Sequence, residues 1–251
     1  CLLIQPQRGY DSQNINDIYL SNNIPTIKHL LLHTAGFTYN SSNNIIAEEY
    51  ERRNIFHSGE TSLEEEVDNI LKLPLLFEPG TEWHYSVSID ILARIIEIIT
   101  KDSLINTLKE NIFSLLEMKN TNFYINKEEN INLVNTFEYS NDTQSIKNLS
   151  QEGRKLINYY YPANNRTYAR GGHGLFSTAE DYLKFTTMLI DGKNVYGKKL
   201  IKSETLDQMR VNCLNSSLFP LEITSINTVK DEKYINDLEG YGWGLGFRVL
   251  M

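Results

Sequence analysis

From Thr26 to Ile190 the apolar residues return mostly at three- and four-residue spacing, which predicts a succession of helices joined by polar loops. Thr26 can cap a short helix running through His33, with Gly36 letting the chain turn away. A charged helix is predicted near residues 45–54. Ser62 and Glu65 form a capping box ahead of Val67, Ile70 and Leu71, and Pro74 closes that helix. Between Ser88 and Thr100 the residues Ile89, Leu92, Ile95, Ile96 and Ile99 mark one helical stripe and predict a strongly buried helix. A further helix follows Asp102. Residues 120–165 are polar and weakly periodic and read as long loops with one short helix.

Order returns at Arg170-Gly171-Gly172-His173-Gly174, a glycine-rich approach to a second capping box, Ser177 and Glu180. The helix behind it is predicted to run to about Ile190, with Tyr182, Phe185, Met188 and Leu189 facing inward, and to end at Asp191-Gly192. Ser203 caps a last short helix. The alternation of large residues with Gly or Arg from Gly242 to Val249 has the period of two that predicts a strand with one crowded face.

Composition narrows the function classes. With 251 residues, 41% hydrophobic and 22% charged, the chain can build a core and is neither disordered nor fibrous. A net charge of −8 opposes nonspecific binding to nucleic acid or to an anionic membrane surface. No apolar run approaches the roughly 20 residues of a membrane span. Cys1 and Cys213 make neither a disulfide framework nor a Cys-x-x-Cys site. The chain opens on Cys1 rather than Met, and we expect sequence upstream of it.

Self-contained catalytic signatures are missing: there is no Gly-x-Ser-x-Gly, Walker A loop, His-Glu-x-x-His or EF-hand spacing. His29 and His33 have the separation of a zinc pair, but Leu30, Leu31 and Leu32 stand where a metalloprotease carries its Glu. The simpler reading has His33 hydrogen-bonded near a helix end and His29 facing solvent, with no metal. Gly242, Gly244 and Gly246 imitate part of a dinucleotide fingerprint without the helix that must follow it. Glu64-Glu65-Glu66 reads as a solvated helix start, where negative charge opposes the macrodipole favourably.

Three segments carry more. Leu31-Leu32-His33-Thr34-Ala35-Gly36, Pro79-Gly80-Thr81-Glu82-Trp83-His84-Tyr85-Ser86, and Gly171-Gly172-His173-Gly174-Leu175-Phe176-Ser177-Thr178-Ala179-Glu180-Asp181-Tyr182 occur in this order. Together they resemble the motifs of the β-lactamase-related serine hydrolases, a family of class C β-lactamases, penicillin-binding proteins, D-aminopeptidases, esterases and acyltransferases. The resemblance implies an α+β, β-lactamase/transpeptidase-like fold: a single domain over residues 1–251, mainly helical over about 26–170 and returning to the α/β part over about 171–251. It also implies acyl transfer through a serine ester, with no cofactor, on a small acyl ester or amide.

In that reading Tyr85 is the catalytic tyrosine, and Val87 and His173 line the substrate site. Val87 stands where β-lactamases carry an Asn whose amide holds the lactam side chain, so an ester or simple amide is the expected substrate. His84 reads as exposed filler. No Ser or Thr is followed three residues later by Lys, so the nucleophile turn is not within these residues, and the closing strand of the site is expected beyond Met251. A phenol titrating at about pH 10 is a poor base without a cation beside it. The 251-residue chain is therefore expected to be inactive alone and, with its sheet incomplete, poorly soluble or self-associating. The alternative is an inactive member that binds an acyl or peptidoglycan-like ligand, or a protein, through the same cleft.

Overall fold

The computed structural model describes residues 3–4, 19–55, 61–125, 133–134, 137–140, 143–148, 169–227 and 232–251. Among the described residues five helices come first: α1 (Ile27–Leu31), α2 (Ile45–Arg52), α3 (Leu63–Leu71), α4 (Ser88–Thr100) and α5 (Leu104–Leu108), the last continuing into one π-helical turn at Lys109–Phe113. Two more, α6 (Ala179–Asp191) and α7 (Ser203–Met209), precede the C-terminal strands. The described strands form four two-stranded antiparallel ladders: β1 (Leu3–Ile4) with β2 (Tyr19–Leu20), β3 (Phe137–Ser140) with β4 (Ser145–Asn148), β5 (Glu222–Asn227) with β6 (Glu232–Asp237), and β7 (Tyr241–Trp243) with β8 (Arg248–Leu250).

Local capping explains most helix starts. Ser62 and Glu65 make the predicted box on α3. On α1 a histidine takes the part usually played by Glu: Thr26 Oγ1 accepts from the His29 N–H, and His29 Nδ1 accepts from the Thr26 N–H. The second predicted box is displaced by one residue, because Thr178 and not Ser177 caps α6, accepting from the Asp181 N–H. Ser203 is already inside α7, whose preceding Lys202 gives no side-chain cap.

Among the described residues, three apolar clusters hold the chain. The largest joins α1 to α5 through residues such as Leu30, Ile46, Tyr50, Val67, Ile70, Ile91 and Leu104. A second gathers Leu32, Leu214, Leu221, Leu238 and Trp243 around the C-terminal strands, and a third packs Phe113, Leu116 and Met118 on Met188 of α6. Within α4 the predicted stripe holds only in part: Leu92 and Ile95 pack partly buried against the main core, but its C-terminal isoleucines do not. Ser88, Asp90, Ile91 and Ala93 are buried, whereas Ile96 and Ile98 are exposed and Ile99 is 70% exposed. Small and polar residues face inward there because the glycine segment around Gly171 passes directly over the first turns: a Cβ on Gly171 would lie 2.1 Å from the Ile89 carbonyl oxygen. On α6, Tyr182 is likewise 62% exposed rather than inward.

Two further expectations change. Phe137–Ser140 and Ser145–Asn148 pair as the antiparallel strands β3 and β4, not loop or helix, while most of the rest of 120–165 lies outside the described residues. The pattern from Gly242 to Val249 is a hairpin rather than one strand: Gly246 adopts φ +87°, the Gly244 N–H donates to the Phe247 carbonyl, and Trp243 pairs with Arg248.

Gly36 matters most for placing the site. It sits at φ +89°, and a Cβ there would lie 2.5 Å from the Phe77 carbonyl oxygen, so strain and collision add. Gly36→Ala is expected to lower stability by at least about 2 kcal/mol. An unshifted urea midpoint would show that the loop relaxes freely.

Candidate active site

The segment after α1 folds against residues 76–87 through four backbone hydrogen bonds. Leu76 donates to Gly36 (2.7 Å), Gly80 to Thr34 (2.8 Å), His84 to His33 (3.0 Å) and Val87 to Thr38 (3.3 Å). This two-segment ladder carries Tyr85 to the surface, where it is 36% exposed. Its ring lies 4.6 Å from the His33 ring, 5.7 Å from Tyr39 and 5.8 Å from Trp243 of β7, centroid to centroid. Trp83 closes the group, 5.4 Å from Trp243. The C-terminal hairpin and the N-terminal helices thus meet at one aromatic wall behind the phenol.

The histidines of this region are held neutral. His33 is buried, its Nδ1 accepting the Ser86 N–H at 3.2 Å with Ser86 Oγ at 3.3 Å, and burial, then the neighbouring His84, pushes its pKa down to about 3. His84 is not exposed filler: its Nε2 lies 3.0 Å from Thr38 Oγ1 and 3.3 Å from Ser42 Oγ, and burial lowers its pKa to about 4. Asn44, the cap of α2, donates to the same Thr38 hydroxyl. His29 and His33 are committed to different partners, Thr26 and Ser86.

The glycine segment approaches from the other side. The Gly172 N–H donates to Asp90 Oδ1 at 3.2 Å, and a Cβ on Gly172 would meet Tyr39 Oη at 2.8 Å. Asp90 is fully buried in the first turn of α4; desolvation raises its pKa to about 6 against the opposing pull of the glycine N–H groups and Arg170. Arg170 is itself buried, 3.5 Å from Glu66 Oε2 and donating to the Thr61 carbonyl and hydroxyl. Glu66 therefore departs from the solvated reading of the acidic run: it points inward to Arg170 and accepts from Thr61 Oγ1 at 2.7 Å. His173 is partly buried, with its pKa lowered to about 4 by burial and by Arg170. Val87 caps α4 with its side chain at 0% exposure in the main core.

Of the residues named from sequence, Tyr85 is brought to an open position on the aromatic wall. Val87 lies two residues beyond it with its side chain enclosed. His173 sits on the glycine segment, which Tyr39 links to the phenol. The sequence pattern does not single out Asp90, Arg170 or the contact of His33 with Tyr85, and it places Glu66 in solvent. A signal was present for Asp90 and Arg170, a charge on an apolar helix and a charge beside a glycine pair, but neither named the other as partner.

Chemically, the wall offers a partly open hydroxyl backed by rings that carry no charge at neutral pH. Among the described residues no helix is long and apolar enough to cross a membrane.

A family model described as beta-lactamase matches residues 19–248. Among curated proteins the chain is 27% identical over 184 residues to the lovastatin esterase of Penicillium rubens, covering 73% of this chain and 43% of that protein. It is 26% identical over 186 residues to an acyltransferase of Monascus pilosus, covering 73% and 41%. The chain spans less than half the length of these relatives. Among solved structures it resembles EstCE1, a hydrolase with promiscuous acyltransferase activity (TM-score 0.64, 23% identity, 90% of this chain and 56% of that one). It also resembles unliganded simvastatin synthase of Aspergillus terreus (TM-score 0.67, 18% identity, 93% and 55%). These likenesses establish the β-lactamase/transpeptidase-like fold, here mostly helical with small antiparallel ladders.

Proposed function

The chain belongs to the beta-lactamase family, and on that premise we propose that it is the tyrosine-bearing part of a serine hydrolase that cleaves acyl esters or simple amides through an acyl-serine intermediate. The observation that carries this reading is the placement of Tyr85, partly open on a rigid neutral wall. With its phenolate stabilised by the lysine of the nucleophile turn, Tyr85 Oη takes the proton as a serine hydroxyl attacks the acyl carbonyl and returns it to the departing alkoxide or amine, so that the acyl-oxygen or acyl-nitrogen bond breaks. Water then repeats the sequence on the acyl-serine. The serine and its lysine are supplied by polypeptide outside residues 1–251, since no Ser-x-x-Lys occurs within them.

Substrate preference follows from Val87 and His173. At Val87 the side chain turns into the core and offers no amide to a lactam substituent. His173, held neutral, lines the glycine side of the site without adding a cation. The names of the esterase and acyltransferase relatives point the same way.

The test compares a short-chain chromogenic acyl ester with a chromogenic cephalosporin, using both the 251-residue chain and a polypeptide extended upstream through a Ser-x-x-Lys turn. The extended form is expected to prefer the ester by roughly 10- to 100-fold in kcat/KM, the scale of a missing substrate contact, and the 251-residue chain to show no turnover above background. Ester hydrolysis by the 251-residue chain would refute an external nucleophile, and cephalosporin preference would refute the substrate class.

A further inference from the structure

We infer that His33 is the positioning residue for Tyr85, acting through three contacts at once; the inference rests on the proposed role of Tyr85 and extends it to the residue that orients the phenol. The His33 carbonyl accepts the N–H of His84, and His33 Nδ1 accepts the N–H of Ser86. The residues before and after Tyr85 are therefore both tied to His33. Its ring also lies 4.6 Å from the phenol ring at an interplanar angle of 35°. One side chain and its own peptide thus fix the backbone on either side of Tyr85 and the plane of its ring.

The conformation needed for this is not a default one. His33 adopts φ +54°, in the left-handed region that a non-glycine residue occupies only when its surroundings hold it there. That geometry lets the carbonyl face residue 84 while the ring turns back over residue 85. Trp243 meets the His33 ring edge-on at 5.2 Å and the Tyr85 ring at 5.8 Å, so imidazole, phenol and C-terminal hairpin pack as one three-ring cluster. Ser86 Oγ, 2.8 Å from Ser88 Oγ, continues the buried chain into the first turn of α4.

Accepting the Ser86 N–H assigns a role to each ring nitrogen. Nδ1 is the acceptor, so the neutral ring carries its proton on Nε2. Protonating Nδ1 would set two donors against each other in a buried site. His33 is thus a neutral plate and brace, neither the base nor the cation of the reaction.

Three substitutions separate the two side-chain contacts, leaving the His33 carbonyl in place. His33→Asn retains a side-chain acceptor and tolerates the left-handed backbone but lacks the ring. His33→Phe retains the ring without the acceptor, and His33→Ala loses both. In the extended, active polypeptide we expect His33→Ala to lower kcat by about 10²-fold, the scale of a misplaced catalytic group, with KM within threefold. His33→Asn and His33→Phe should each recover part of that loss. The 251-residue chain, labelled with ¹⁵N-histidine, gives a readout independent of activity: His33 should remain neutral with Nδ1 unprotonated from pH 8 to pH 5. Wild-type kcat in His33→Ala, a loss confined to KM, or a protonated Nδ1 in neutral His33 would each overturn the inference. Failure of the extended parent to turn over ester would count against the proposed function alone, because the nitrogen resonances would still report the brace.

Discussion

Tyr85→Phe in the extended polypeptide is expected to lower kcat/KM for the ester by about 10²- to 10⁴-fold, the range contributed by a positioned acid–base group. The substitution is unusually clean here. Phe keeps the ring that contacts His33, Tyr39 and Trp243, so the wall behind the site retains its packing. The ring is partly open to solvent, and the stability change should stay within about 0.5 kcal/mol. The lost rate then reports the hydroxyl rather than the scaffold. KM should move little, because a proton-transfer group acts in the transition state more than in substrate binding. A variant that keeps its rate within threefold of the parent, with an unchanged urea midpoint, would remove Tyr85 from the mechanism.

How much of this was legible from sequence differs by the kind of signal. Pro79-Gly80 through Ser86 is a continuous local pattern and legible as such, whereas its ladder with residues 33–38 joins positions as far apart as His33 and His84 and shows only in the structure. Caps were read to within one residue, because Thr178 and Ser177 are chemically equivalent candidates and only the backbone bond to Asp181 decides between them. Burial on α4 was misread in part, for a reason that periodicity cannot contain. Counting apolar residues selects the isoleucine stripe, whereas the glycine segment selects Asp90 and Ala93 by needing room for backbone contact. Long-range polar partners were invisible in the same way. Glu66 in a run of three Glu looks solvated until Arg170, 104 positions later, is placed against it. His84 looks incidental until Thr38 and Ser42 fold over it.

That buried polar layer carries the second large effect. Arg170→Met is expected to cost about 3–5 kcal/mol at pH 7.5, because it leaves the Glu66 carboxylate, 3% exposed at the side chain, without its cation and removes a favourable charge from Asp90. Adding Glu66→Leu should return a substantial part of the loss by removing the charge that Arg170 no longer meets.

The pH dependence gives the sign. Asp90 has a folded pKa raised from 3.8 to about 6, so its contribution is fully present below pH 3.8 and is lost as pH rises through about 6. Without Arg170 the carboxylate is more strongly disfavoured, and the destabilisation by Arg170→Met should grow from pH 5 to pH 7.5. His33, His84 and His173 act oppositely: their folded pKa values lie below 6.5, so their stabilisation is present above pH 6.5 and is lost as pH falls toward 3–4. His33 and His84 affect parent and variant alike and cancel in the difference between them. His173 cancels only in part, since Arg170 contributes to its depression. Relieving that depression reduces the acid loss of the variant, again making the substitution less costly at low pH. Urea midpoints of parent, Arg170→Met and the double variant at pH 5 and pH 7.5 test both parts. A penalty independent of pH would show that Arg170 acts through packing and not through the carboxylates it faces.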